Sequence, residues 1–134
     1  MTKSANGTFD VQIKPVDQTA QSQAATPGRM LLDKQFHGDL QATGKGQMLT
    51  ALTSIDGSAG YVAIEEVTGI LNGRNGSFVL QHSGIMSRGE QQLAITIVPD
   101  SGTGELTGIA GNMIIAIDEN GRHTYTLHYE IPDL

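Results

Sequence analysis

The stretch Tyr61–His82, YVAIEEVTGILNGRNGSFVLQH, decides the fold. In its first half Tyr61, Ala63, Glu65 and Val67 fall on one face, and Val62, Ile64, Glu66 and Thr68 on the other. That two-residue period is the signature of a β-strand. Asn72-Gly73 and Asn75-Gly76 come next, and both residue types tolerate the positive φ of a tight hairpin. Alternation then resumes, with Phe78, Leu80 and His82 sharing a face. Both strands set an ionisable group in an otherwise apolar row, which is how an all-β shell gains a polar interior.

Working outward from this hairpin, the same pattern fills the chain. Phe9, Val11 and Ile13 alternate with Asp10, Gln12 and Lys14, predicting a first strand with one buried face. Met30, Leu32, Lys34 and Phe36 share a face of a second strand. A turn at Gly38-Asp39 leads into a long third strand, Leu40 to Leu52, interrupted by Gly44 and Gly46. Glycines inside a strand point to a bulge or a barrel corner. Beyond the hairpin, Leu93, Ile95 and Ile97 form a sixth strand ending at Pro99, and Met113, Ile115 and Ile117 a seventh. Asp118-Glu119-Asn120-Gly121 turns the chain into Tyr125, Leu127, Tyr129 and Ile131.

The count is about eight strands, joined by short links, with no helical periodicity. Successive hairpins favour a meander, and closing it into a barrel removes the exposed edges. The expected fold is therefore all-β, a single antiparallel eight-stranded barrel spanning residues 1–134. The polar run 17–28, DQTAQSQAATPG, is expected to be a flexible loop.

Composition bounds the function. The chain has 134 residues, long enough for one core without cross-links. Glycine is abundant, at 17 residues against a usual share of ~7%. Eight Lys and Arg stand against fourteen Asp and Glu, for a net charge of -6, and the cations do not cluster. Phosphate-backbone binding needs clustered cations, so no nucleic-acid partner is expected. The absence of cysteine excludes thiol catalysis, disulfides and thiolate metal sites.

The four histidines lack a two-ligand spacing on one strand face, so neither a metal nor a cofactor is expected. Gly102-Thr103-Gly104 lacks the helix and Lys of a phosphate loop. Glu105 and Asp39 read as turn-stabilising carboxylates that accept backbone N–H bonds. No apolar leader or membrane-length run is present, so the expectation is a cytoplasmic protein without a membrane partner.

Five ordered blocks carry a resemblance. These are Lys34–Leu40 (KQFHGDL), Gly44-Lys45-Gly46, Tyr61–Gly69 (YVAIEEVTG), Gly76–His82 (GSFVLQH) and Gly102–Leu106 (GTGEL). From Gly7 to Tyr129 the chain resembles an uncharacterised bacterial domain-of-unknown-function family, similar in fold to the allene oxide cyclase barrels. The resemblance implies an eight-stranded barrel, often in oligomers, and it implies no activity. A homo-oligomer, dimer or trimer, is expected on that ground.

The alternation places Lys34 with Leu32 and Phe36, and His82 with Phe78 and Leu80. Either Glu65 or Glu66 can face inward, and the resemblance favours Glu65. A buried carboxylate needs a partner, which Lys34 or His82 can supply. The ligand-binding candidates are Glu65, His82, Lys34, Tyr61, Phe78 and Leu80, and no catalytic residue is assigned. The expected function is binding of a small hydrophobic or amphipathic molecule, with Glu65 and His82 fixing its polar end. One alternative is a cofactor-independent isomerase or cyclase using Glu65 as acid-base residue. The other is a structural or interaction module whose barrel is filled.

Overall fold

The computed structural model describes residues 2–16 and 28–132. Eight strands follow one another: Lys3–Pro15 (β1), Gly28–Gly38 (β2), Leu40–Leu52 (β3), Ala59–Leu71 (β4), Arg74–Ser87 (β5), Glu90–Ile97 (β6), Ala110–Ile117 (β7) and His123–Glu130 (β8). Each pairs antiparallel with its sequence neighbours, and β1 pairs with β8, so the meander closes into a barrel. The expected fold is the observed one. All of the expected flexible loop except Gly28, the first residue of β2, lies outside the described residues.

Of the two expectations for the glycines of β3, the bulge is not met. The ladders of β3 with β2 and with β4 run through Gly44 and Gly46 with no extra residue. There is thus no bulge at either position. Both glycines instead make room for β4. A side chain at Gly44 would overlap the Glu65 carboxylate, and one at Gly46 would meet the backbone of Ile64 and Glu65.

The two ends of the barrel differ. At one end Leu40, Leu71, Phe36, Phe78, Tyr125 and Tyr129 are buried. Leu106 and Ile109, from the connection between β6 and β7, cap them at 1% exposure each. That connection holds a 3₁₀ turn, Gly104–Leu106. The Tyr125 hydroxyl donates to His37 O and accepts from Leu40 N, both at 2.9 Å. Glu105 Oε1 accepts from Asn75 N, and Asp39 Oδ2 from Asn6 N, both at 2.9 Å, as expected for turn carboxylates.

Towards the other end the inward rows loosen. Along β2, Phe36, Lys34 and Leu32 are buried and Met30 is half-buried; along β4 the sequence Val67, Glu65, Ala63, Tyr61 does the same. Ile13, on the expected buried face of β1, lies at this looser end and is 47% exposed. Among the described residues the packing gradient therefore runs along the barrel axis, from a sealed end to an open one.

Candidate functional site

Lys34, Glu65 and His82 converge midway along the lumen. They are the buried acidic or basic side chains among the described residues, at 6%, 0% and 3% exposure. Of the two neighbouring glutamates Glu65 points in and Glu66 is exposed, so the register matches the inward assignment. Lys34 Nζ donates to Glu65 Oε1 at 3.2 Å, and His82 Nε2 lies 2.9 Å from the same oxygen. Lys34 Nζ also sits 5.0 Å from the Phe9 ring centroid and 5.8 Å from that of Phe36. Aromatic faces thus take part of the ammonium's desolvation.

Burial alone would raise the Glu65 carboxyl above its ordinary 4.5. The His82 hydrogen bond and the Lys34 charge outweigh burial and hold it below that value. Glu65 is therefore an anion at neutral pH, and an anionic carboxylate only accepts, so His82 Nε2–H is the donor. Both donors reach Oε1. Oε2 is the buried side-chain polar atom among the described residues with no hydrogen-bond partner, and it faces Gly44.

On the open side of this layer lies a cavity of about 580 Å³. Its apolar wall includes Met48, Leu52, Leu93, Ile115 and Ile117, and its polar groups include Tyr61, Thr50, Gln91 and His123. Among the described residues no Lys, Arg, Asp or Glu lines it. Tyr61 links cavity and cluster, since on the inward row of β4 only Ala63 separates it from Glu65. Burial, and then the Glu65 charge, raise the Tyr61 phenol above its ordinary 10.0, so its hydroxyl stays a donor. The Tyr61 ring lies over Gly84 on β5, where any side chain would collide with it.

Of the sequence candidates, the structure brings Glu65, His82 and Lys34 into one cluster and puts Tyr61 on the cavity wall. Phe78 and Leu80 are buried at 1% and 0% in the packed half and do not line the cavity. Sequence reasoning missed Met48, Thr50, Leu93, Ile115, Ile117 and His123. Their signal was the same strand parity, extended past the buried row to the strand ends. Among the described residues no three metal-binding side chains gather, and no helix is long and apolar enough to cross a membrane.

The fold and site define a class: closed meander barrels with a charge-paired layer across the lumen and an uncharged cavity above it. The chain belongs to the DUF3224 family, proteins of unknown function, which matches residues 5–129. A crystal structure of a protein of unknown function from the same family, from Shewanella oneidensis MR-1, is 46% identical. The match covers 100% of both chains, with a TM-score of 0.90. Among curated proteins none matches the chain. None of these matches extends the expected likeness to the allene oxide cyclases.

Proposed function

We propose that this barrel binds a small, uncharged, mainly apolar molecule in the open-end cavity, with a hydrogen-bonding group of that molecule against Tyr61. The observation that carries the reading is the cavity itself. At about 580 Å³ it falls within the ~300–1,000 Å³ of ordinary ligand sites. Its wall is apolar and uncharged, which suits a neutral ligand, because an ion there would lose its hydration without a counter-charge. Glu65, His82 and Lys34 act from behind. Burial, and then the Glu65 charge, raise the Tyr61 phenol further above its ordinary 10.0, so at neutral pH its hydroxyl is able to donate.

Catalysis by Glu65 draws less support. An acid-base group works best with a pKa near the operating pH, and Glu65 is held below even its ordinary value. The filled-barrel alternative draws less support, because a cavity of about 580 Å³ lies among the described residues. The expected homo-oligomer draws support from the outer face of β2, β3 and β4, where Leu31, Leu49, Val62 and Ile64 are each 45–51% exposed. Arg29 borders that patch on one side and the cross-strand row Asp33, Lys45 and Glu66 on the other.

The binding reading is tested by titration with N-phenyl-1-naphthylamine, a neutral apolar fluorophore. Wild type is expected to enhance its emission saturably, and Ile115→Trp, which fills the cavity, to abolish the effect. Equal enhancement by both proteins would place the probe elsewhere and remove the support.

A further inference from the structure

The junction of β6 and β7 is unlike the other seven. Only Ile95–Met113 and Thr96–Asn112 pair there. Every other junction pairs over at least seven residues. Continued in the same register, the ladder would set Leu93 opposite Ile115 and Gln91 opposite Ile117. It does not form, so towards the open end the two strands face each other without a shared ladder. Strand edges of this kind leave backbone donors and acceptors free and are normally paired or covered.

The cavity reaches into this gap. Residues on both sides of it line the cavity: Gln91, Gln92 and Leu93 from β6, and Ile115, Ala116 and Ile117 from β7. The apolar side chains at the gap are exposed, Leu93 at 42% and Ile117 at 67%. Part of the remaining rim is tied together instead. Arg88 N donates to Ser58 Oγ at 3.0 Å and Gly89 N to Gly57 O at 2.9 Å, joining the β3–β4 and β5–β6 turns.

We propose that the gap between β6 and β7 is a lateral portal, through which the neutral apolar ligand enters and in which part of it rests. The inference depends on the binding reading above. Entry here breaks no ladder hydrogen bonds, because none span the gap. The apolar body meets Leu93 and Ile117 before it meets the lumen, so these two residues govern entry rate and the size of molecule admitted.

The chain has no cysteine, so an introduced pair is unambiguous. Leu93→Cys with Ile115→Cys, closed by oxidation or by a short bismaleimide, would tie the portal shut. The Gln91→Cys with Ile117→Cys pair, at exposed positions, serves if the first pair impairs folding. Association of N-phenyl-1-naphthylamine is followed by stopped-flow fluorescence on the open and closed forms of one variant. The closed form is expected to bind at least ten-fold more slowly. Equal rates, with wild-type binding intact, would overturn the portal and leave the cavity reading standing. No binding of the probe by wild type would overturn both.

Discussion

The carboxylate of Glu65 rests against the backbone of Gly44, so close that no side chain fits between them. The two residues lie on adjacent strands, β4 and β3, and the missing side chain of one is the space the other occupies. This explains why a long, evenly paired strand carries a glycine there. It also leaves Oε2 without a partner while Oε1 takes two donors.

Gly44→Ala tests this contact. A methyl group there would overlap Oε2 and press on Phe36, whose Cε2 would lie 3.1 Å away. Overpacking of this kind costs about 1–3 kcal/mol, read as a fall in the urea unfolding midpoint. In a Glu65→Ala background the same change is expected to cost less than about 1 kcal/mol, because the two sites share the space.

Lys34→Met removes a charge that is buried beside another. Its loss leaves the anion of Glu65 with His82 alone, and an uncompensated buried charge costs about 3–5 kcal/mol. Combining it with Glu65→Gln is expected to cost less than the sum of the single changes. Denaturant unfolding of the four proteins measures the coupling directly. Additive costs would mean that the pair contributes little.

Acid should weaken the barrel through Glu65. Its pKa is lower folded than unfolded, so below its ordinary 4.5 the unfolded chain binds the proton first. The stabilisation is full above that pH and is lost as pH falls through the lower, folded value. Unfolding midpoints measured from about pH 7 to about pH 3 should therefore fall less steeply for Glu65→Gln than for wild type. Parallel curves would assign the acid sensitivity to other carboxylates.

Much of this was legible in the sequence. The two-residue period from Tyr61 to Val67 and from Phe78 to His82 identified the strands, and the Asn-Gly turns identified the hairpin between them. The same parity set Lys34 and His82 in the inward apolar rows, while the choice of Glu65 over Glu66 came from the family resemblance. What period two could not show is depth along the barrel axis. Phe78, Leu80, Tyr61 and Ile117 all point inward, yet the first two are packed and the last two reach the cavity. Among the described residues that difference arises from plugging by Leu106 and Ile109 at one end, a long-range arrangement with no local signal. The incomplete β6–β7 ladder was hidden for the same reason, since Leu93–Ile97 and Met113–Ile117 read as ordinary strands. The fit of Gly44 to Glu65 was not legible because the group it makes room for lies on another strand.

Tyr61→Phe separates the cavity from the cluster behind it. The ring and its packing over Gly84 are kept, so stability should change by less than about 1 kcal/mol. Affinity for a ligand that accepts the phenolic hydrogen bond should fall several-fold, measured by competition against the naphthylamine probe. A large loss of stability would make Tyr61 a structural residue instead.

The most direct measurement is mass spectrometry of the small molecules released from the purified protein after expression in a bacterial host. Wild type and the cavity-filling Ile115→Trp are compared. The account predicts a neutral, mainly apolar compound near one equivalent on wild type and none on the variant. A wild-type protein that carries nothing and leaves the naphthylamine probe unbound would contradict it.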